Sequence, residues 1–197
     1  PAVTPASAGP LFCGGITVFA PILQNGIRPL DRVGVIGIGG LGHLALKFLR
    51  AWGCEVTAFT STAAKQAEAL ALGAHHAVAS TDKAALKAIR RSLDFIIVTV
   101  NVAMDWNAYL AALKPRGRLH FVGAVLEPVP VSAFALMAPK VITGSGTGSP
   151  THIAQMLEFC ARHQIAPQVE YFPMAKVNDA LEHLRAGKAR YRLILKN

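Results

Sequence analysis

Cysteine is scarce in this sequence, and the few cysteines lack the spacing typical of disulfide bonding or metal coordination. Cys13, Cys54 and Cys160 are odd in number and include no C-x-x-C pair. Such a set argues against a disulfide framework and against a self-contained structural zinc site. We therefore expect a protein of a reducing compartment, most simply the cytoplasm.

Long apolar runs are missing too, so no membrane segment is expected. Runs such as residues 95–98 end well before the roughly 18–20 apolar residues that a membrane span needs. We also expect no signal peptide, because the first basic residue of this sequence is Arg28. Charged residues make up only 16% of the 197 residues and hydrophobic residues 52%, which excludes intrinsic disorder and predicts a large buried core.

Positive charge is in excess but is not concentrated anywhere. The net charge of +9 arises from nine Lys/Arg against five Asp/Glu in residues 1–100, and from eleven against six in residues 101–197. No helix-turn-helix, zinc-finger or aromatic stacking pattern accompanies the charge. We therefore expect no nucleic-acid partner, and a nucleic-acid binder is kept only as a minor alternative.

Short β-branched runs alternate with longer segments of helical period from Arg32 onward. This alternation is the signature of βαβ units, and the compact apolar runs suit strands that are buried on both faces. The pattern predicts an α/β fold, a Rossmann-type doubly wound parallel sheet. The predicted strands are residues 33–36, 55–60, 76–79, 94–100, 117–123 and 140–144, with a turn at 115–117. The predicted helices are residues 41–52, 63–72, 84–90, 104–113, 134–137 and 152–162.

The last part of the chain changes character. Residues 168–172 and 191–195 are strand-like, and an amphipathic segment at residues 177–185 lies between them. At the other end, residues 9–23 form a mainly apolar segment that could be helical, ahead of the sheet.

A glycine-rich loop follows the first predicted strand and opens the next helix. Gly37, Gly39 and Gly42 form the spacing G-x-G-x-x-G, with Gly40 and Leu41 between them. Gly37 allows a tight turn, Gly39 lets the backbone approach a pyrophosphate, and Gly42 permits close packing of helix and strand, while helix N–H groups face the anion. In this context the motif predicts dinucleotide binding; the alternative is a glycine-rich turn needed only for packing.

The end of the second predicted strand indicates which dinucleotide is preferred. NAD-binding units usually place a carboxylate about 20 residues past the loop to bind the ribose hydroxyls, but here the strand runs into Thr60, Ser61 and Thr62. These hydroxyls, with Lys65 one turn into the following helix, suit a phosphate monoester. The pattern favours NADP(H), and the alternative is an ordinary helix N-cap beside a solvated lysine.

Three separated segments give the chain a more specific likeness. Residues 9–19 read GPLFCGGITVF, residues 37–43 read GIGGLGH, and residues 188–192 read KARYR. In this order and spacing they resemble the zinc-dependent medium-chain alcohol dehydrogenases, most closely the NADP-preferring branch of cinnamyl-alcohol dehydrogenases and aldehyde reductases. The resemblance covers essentially the whole chain. It implies reversible hydride transfer between NADP(H) and a primary alcohol or aldehyde that is activated on Zn²⁺.

The resemblance assigns roles to residues of the leading segment. Cys13 matches the cysteine ligand of the catalytic zinc, and Thr17 matches a threonine that lies against the nicotinamide. The residues alone leave other roles open, since Cys13 also suits a small buried apolar position and Thr17 a hydroxyl bonded to its own helix. Phe19 stands where the family pattern has tyrosine, a departure that concerns local packing.

Further matches fall at the nicotinamide and pyrophosphate ends of the cofactor. Arg192 matches an arginine that reaches the pyrophosphate, where a bidentate guanidinium suits the ligand. Five residues match segments that bind the nicotinamide end through backbone groups, although turn chemistry alone would also explain them. These are Gly123, Ala124, Ser145, Gly146 and Thr147.

The same resemblance implies how the chain is divided. Residues 1–23 would be a leading helix from a catalytic domain, residues 24–150 the dinucleotide-binding domain, and residues 151–197 a closing helix and a segment returning to the catalytic domain. The family's other zinc ligands do not occur here, so we expect a chain that lacks its N-terminal catalytic domain, binds nucleotide and turns over poorly alone. The family joins subunits through the region of residues 140–144, which implies a homodimer. A non-catalytic nucleotide-sensing or scaffold module is the alternative from another class.

Overall fold

The computed structural model describes residues 4–197, without the side chains of residues 5–7. Residues 1–3 of the predicted leading segment lie outside the described residues. The main sheet contains β1 (Arg32–Ile36), β2 (Glu55–Thr60), β3 (His76–Ala79), β4 (Leu93–Val98), β5 (Leu113–Phe121) and β6 (Val141–Gly144). The helices that accompany it are α1 (Pro5–Pro10), α2 (Ile16–Gln24), α3 (Gly42–Trp52), α4 (Ala63–Ala71), α5 (Lys83–Ala88), α6 (Trp106–Ala112), α7 (Ala133–Met137) and α8 (Pro150–His163).

The six strands pair in parallel in the order β3-β2-β1-β4-β5-β6. The chain builds one half of the sheet outward from β1 and then returns to the centre to build the other half from β4. The strand order therefore reverses between β1 and β4, and a crevice opens at their carboxyl ends. The predicted Rossmann-type, doubly wound parallel sheet is confirmed.

Large aromatic side chains fill the space on both faces of the sheet. On one face the ring centroids of Phe19 in α2 and Phe48 in α3 lie 5.2 Å apart in an edge-to-face contact, and Phe159 of α8 joins them. On the other face Tyr109 of α6 makes the same kind of contact with Phe59 of β2, also at 5.2 Å. Full burial of such a side chain stabilises the fold by roughly 1.5–3 kcal/mol, so these contacts fix the helices against the sheet.

Element boundaries differ from the predicted ones at two places around β4. The strand ends at Val98 rather than at residue 100, and α6 begins at Trp106 because the Asp105 carboxylate accepts the backbone N–H of Ala108 as an N-cap. The predicted turn at residues 115–117 is an irregular stretch within β5, where Arg116 has φ +66° and the pairing with β4 shifts register.

The end of the chain forms a second, two-stranded sheet. β7 (Val169–Pro173) and β8 (Arg192–Lys196) pair in parallel, and α9 (Val177–Arg185) connects them after a 3₁₀ turn at Met174–Lys176. The two strand-like runs and the amphipathic segment between them are thus confirmed. Within residues 4–197 there is no helix that is both apolar and long enough to span a bilayer.

Candidate functional site

A cleft opens at the carboxyl ends of β1, β2 and β4. Its volume is about 360 Å³, and the loop of Gly37 to Gly39 forms one wall. This is the place where open α/β sheets bind their ligands, because the strand ends and the helix N-termini converge there. The other walls are residues that end or follow β2, β3 and β4, among them Thr60, Ser61, Lys65, Ser80, Thr99, Val100, Asn101, Val102 and Met104.

The glycine loop needs its glycines for different reasons. Gly37 has φ +87°, which lies in the left-handed region, and a Cβ there would also collide with the Val100 side chain. A Cβ on Gly42 would collide with the Gly37 carbonyl group, so α3 starts directly against the loop. A Cβ on Gly39 would meet nothing within 4 Å, so the Gly39 backbone is open to a ligand in the cleft.

The N-terminus of α3 and one arginine supply positive potential beside this loop. Leu41 is the N-cap residue of α3, and no side chain caps the helix. The N–H groups of His43 and Ala45 donate to the Gly39 and Leu41 carbonyl groups, so the positive end of the helix dipole is the main attraction for an anion. Arg192, the first residue of β8, donates a hydrogen bond from Nε to the Gly40 carbonyl at 3.2 Å. Its guanidinium also occupies the space that a side chain at position 14 would need, since a Cβ on Gly14 would collide with it.

Thr99 holds the glycine loop from the neighbouring strand. Its hydroxyl lies 2.9 Å from the Ile36 carbonyl oxygen and 2.7 Å from the Gly37 carbonyl oxygen. Its backbone N–H donates to the Ile36 carbonyl at 3.0 Å. Sequence reasoning did not single out Thr99 or its cleft neighbours Ser80 and Asn101. The signal was available, because residues that follow parallel strands meet at one edge of the sheet.

His43 connects the glycine loop to the end of the chain. Its Nδ1–H donates to the Gly39 carbonyl at 3.0 Å, and its Nε2 accepts the backbone N–H of Gln168 at 3.2 Å. The ring stacks on Tyr191 with centroids 4.7 Å apart and an interplanar angle of 12°. Burial lowers the pKa of His43 to about 4, although the Gly39 carbonyl opposes the shift. The ring is therefore neutral at pH 7, as both hydrogen bonds require.

The residues after β2 divide into structural and free groups. Thr60 is buried and its hydroxyl donates to the Thr62 carbonyl at 3.3 Å. The Thr62 hydroxyl accepts the backbone N–H of Lys65 at 3.3 Å and so caps α4. Ser61 and the Lys65 ammonium line the cleft, and within residues 4–197 no carboxylate forms an ion pair with Lys65. The free hydroxyl and cation are thus available to a ligand.

The electrostatic character of the cleft excludes one common mode of ribose binding. Among the described residues that line it, none is aspartate or glutamate. The carboxylate that would accept ribose hydroxyls and repel a 2′-phosphate is therefore missing at the end of β2. A hydroxyl and an ammonium stand there instead, which is the donor set that a phosphate monoester prefers.

The residues expected at the nicotinamide end lie in α2 and in the loops that follow β5 and β6. The Thr17 hydroxyl is 2.9 Å from the Cys13 carbonyl oxygen and 3.4 Å from the Gly146 carbonyl oxygen, so α2 contacts the loop after β6. Gly123 donates its N–H to the Val98 carbonyl at 2.9 Å, and a Cβ there would collide with the Val100 carbonyl. Three more of the predicted residues belong to these loops, with Ala124 and Thr147 exposed and Ser145 half-buried.

Cys13 is placed differently from the other two cysteines. It is exposed in the π-helical turn Leu11–Gly15, between α1 and α2, so it is not the small buried residue that its sequence context also allowed. Cys54 and Cys160 are buried, and burial raises the pKa of their thiols to about 12 and about 11. Within residues 4–197 no group of three or more His, Cys, Asp or Glu could hold a metal ion. These residues by themselves do not fit a zinc site, for which Cys13 supplies a single donor.

Comparison with known families agrees with this geometry. Residues 40–162 match the family described as zinc-binding dehydrogenase. The chain belongs to the zinc-binding dehydrogenase family. The matched part runs from Gly40 of the glycine loop to Arg162 in α8 and so includes the cleft residues from Phe59 to Met104 and the loop after β6.

Individual members of the family are similar to this chain in sequence and in structure. The chain is 55% identical over 191 residues to an aldehyde reductase of Synechocystis sp., and the match covers 96% of this chain and 57% of the relative. It is 39% identical to cinnamyl alcohol dehydrogenase 7 of Oryza sativa, and that match covers 96% of this chain and 51% of the relative. A cinnamyl alcohol dehydrogenase structure from Sorghum bicolor superposes with a TM-score of 0.94 at 38% identity, covering 98% of this chain and 56% of that one. A Helicobacter pylori structure of this type, complexed with NADP(H), gives a TM-score of 0.82 at 32% identity, covering 94% and 53%. The chain thus spans about half the length of the relatives it matches.

Proposed function

We propose that this chain is the NADP(H)-binding part of a zinc-dependent alcohol dehydrogenase or aldehyde reductase. The observation that carries the proposal is the free Ser61 hydroxyl and Lys65 ammonium at the end of β2, in a cleft whose described lining residues include no carboxylate. A 2′-phosphate is the group of NADP(H) that distinguishes it from NAD(H), and it fits this donor set. The relatives named for aldehyde and cinnamyl alcohol chemistry support the same reaction class.

The other groups of the nucleotide have places along the same crevice. The pyrophosphate would lie on the open backbone of Gly39 and the uncapped N-terminus of α3, with Arg192 beside it. The nicotinamide would lie toward Thr17 and the loop of residues 145–147, next to Gly123. The adenine would enter between the residues that follow β2 and those that follow β4.

The cofactor supplies the hydride, and this chain orients it. Thr17 presents its hydroxyl between Cys13 and the loop after β6, where it would limit the position of the nicotinamide ring. In the intact protein Cys13 would be one ligand of the catalytic zinc, with the other ligands and most of the substrate pocket in a catalytic domain that precedes this chain. The substrate would be a small alcohol or aldehyde, and the chain alone would bind nucleotide with little or no turnover.

The domain division and the assembly are parts of the same proposal. Residues 1–23 would lead out of the catalytic domain, residues 24–150 would bind the dinucleotide, and residues 151–197 would return to the catalytic domain. The two-stranded sheet of β7 and β8, separate from the main sheet, supports such a returning segment. We also propose a homodimer that forms along β6, and a cytoplasmic location, which three unpaired cysteines favour.

Nucleotide titration of the 197-residue chain tests the proposal. NADPH should bind more tightly than NADH, and Lys65→Met should lower the affinity for NADPH by about ten- to a hundredfold, since a hydrogen bond to a charged group contributes about 1.5–3 kcal/mol. The affinity for NADH should change little. Lys176→Met is the matched control, because Lys176 is exposed and does not line the cleft.

Two results would contradict the proposal. Equal affinities for NADPH and NADH in the unmodified chain would exclude a 2′-phosphate site at Ser61 and Lys65. An absence of binding to either nucleotide, in a chain whose circular dichroism shows a folded state, would exclude the nucleotide-binding role altogether.

A further inference from the structure

A buried histidine lies directly behind the loop that follows β6. His120 is in β5, is 2% exposed, and is paired by register with Thr143 of β6. Its ring also packs against Phe95 of β4, with centroids 5.7 Å apart. A buried polar side chain in a parallel sheet is costly unless it is fully hydrogen-bonded, so the stability of this region depends on the partners of the ring.

Both ring nitrogens of His120 are bonded to hydroxyl groups. Nδ1 lies 2.8 Å from Thr143 Oγ1, and Nε2 lies 2.9 Å from Ser145 Oγ. Thr143 and Ser145 are two residues apart, so their side chains lie on the same face of the extended chain. The imidazole therefore spans from the last part of β6 to the first residue beyond it.

The charge state of this ring is defined by its surroundings. Burial, together with the nearby Arg118 charge, lowers the pKa of His120 to about 4. A neutral imidazole has one N–H donor and one acceptor nitrogen. One hydroxyl therefore accepts from the ring and the other donates to it, so both ring nitrogens are satisfied.

Ser145 is the first residue of the loop that we assign to the nicotinamide end. Its backbone N–H donates to the Phe121 carbonyl at 3.0 Å, so its side chain and backbone are both attached to β5. On the other side the Thr17 hydroxyl is 3.4 Å from the Gly146 carbonyl oxygen. A Cβ on Gly148 would lie 2.7 Å from the Ile16 side chain, so α2 and the loop are in close contact. The loop is held between His120 in the sheet and α2.

We propose that His120 is a positioning residue that sets the place of Ser145, and through it the backbone of the loop at residues 145–147, for the nicotinamide half of the cofactor. The inference rests on the proposed function, because it concerns the same nucleotide. His120 would affect the binding of the nicotinamide end of the nucleotide only. The adenosine end, at Ser61 and Lys65, lies across the sheet beyond β1 and β4.

A pair of ligands separates the two ends of the nucleotide. NADPH carries the nicotinamide, whereas 2′-phospho-ADP-ribose has the same phosphates and adenosine without it. In the 197-residue chain, His120→Phe removes both hydrogen bonds while keeping an aromatic ring of similar size. It should lower the affinity for NADPH by about three- to tenfold, as loss of hydrogen bonds of about 0.5–1.5 kcal/mol predicts, and leave 2′-phospho-ADP-ribose binding unchanged.

Further variants distinguish positioning from a general loss of stability. Ser145→Ala removes only the hydrogen bond to His120 Nε2, from a half-buried position, and should reproduce the selective loss. Combined with His120→Phe it should add little. His120→Gln, which keeps a donor and an acceptor, should recover part of the NADPH affinity. Thr57→Val, an isosteric change at another buried polar position of the sheet, should affect neither ligand.

Some results would contradict the positioning role of His120, and one would contradict the proposed function itself. The inference is overturned if His120→Phe weakens both ligands equally or neither, if Ser145→Ala has no selective effect, or if the unmodified chain binds the two ligands with equal affinity. Failure of the unmodified chain to bind either ligand would instead overturn the proposed function, and the inference with it. Should His120→Phe not fold, Ser145→Ala and His120→Gln still give the comparison.

Discussion

At the scale of single residues, two glycines of the nucleotide loop have different roles. Gly37 is needed for stability and Gly39 for nucleotide binding. Gly37→Ala should lower the free energy of unfolding by about 1–3 kcal/mol, since the position has φ +87° and a Cβ would collide with Val100. Gly39→Ala should leave stability nearly unchanged, because its Cβ would meet nothing within 4 Å, yet it should weaken NADPH binding by standing where the pyrophosphate approaches. Urea unfolding and nucleotide titration of both variants measure the two effects. Equal stability losses in the two variants would contradict this assignment.

His43 should also make the stability of the fold depend on pH. Its pKa is about 4 in the folded chain and has the ordinary histidine value of 6.5 in the unfolded chain, so the unfolded chain binds more protons between these values. Its contribution to the free energy of unfolding, at most about 3 kcal/mol, is present above pH 6.5 and is lost as the pH falls toward 4. Urea unfolding between pH 7 and pH 4 should therefore show a smaller loss of stability in His43→Gln than in the unmodified chain.

The control for this measurement is His163→Gln, which changes an exposed histidine. It should keep the full pH dependence of the unmodified chain. His120 contributes in the same direction, and the comparison between variants removes its contribution. Identical slopes in His43→Gln and the unmodified chain would show that His43 titrates normally.

At the scale of elements, β6 and α7 present an uncovered edge of the sheet. β6 is the last strand in the order of the main sheet, and nearby α7 exposes 81% of Phe134 and 76% of Met137. An unpaired strand edge beside apolar side chains favours association. Phe134→Asp should therefore convert the proposed dimer to a monomer in sedimentation equilibrium.

Leu184→Asp provides the matched control for this change. Leu184 is 52% exposed on α9, away from the main sheet, so its replacement should not alter the mass of the particle. An unmodified chain that sediments as a monomer at micromolar concentration would refute the dimer in this chain.

At the scale of the whole molecule, nucleotide binding should couple the end of the chain to the sheet. NADPH at a hundred times its Kd stabilises the folded state by about 2.7 kcal/mol, which for a chain of this size raises Tm by about 5–10 °C. Arg192 bonds to Gly40 from β8, so Arg192→Met should remove most of this increase at the same NADPH concentration. Arg185→Met, on exposed α9, should keep it. Thermal unfolding with and without NADPH measures the difference, and a full increase in Arg192→Met would show that the guanidinium does not contact the ligand.

Sequence patterns alone predict the order of strands and helices, the fold class and the glycine loop. These features are local, because a buried strand, an amphipathic helix and a G-x-G-x-x-G turn are each visible within about ten to twenty residues. The group of Ser61 and Lys65 is also local, because the absence of a carboxylate after β2 can be read directly from the residue types. Helix and strand ends follow less directly from periodicity, as α6 shows, since the Asp105 side-chain cap decides where that helix begins.

The contacts by which distant residues support this site become visible in the folded chain. Thr99 reaches Gly37 across 62 positions of sequence, His43 reaches Gln168 across 125, and Arg192 reaches Gly40 across 152. The pairing of His120 with Ser145 depends on the register of β5 against β6, and the exposure of Cys13 depends on how the leading turn packs. The strand pattern predicts that Thr99 and Gly37 lie at the same edge of the sheet. No residue pattern encodes the hydrogen bonds themselves, because each requires two segments to meet through the folding of everything between them.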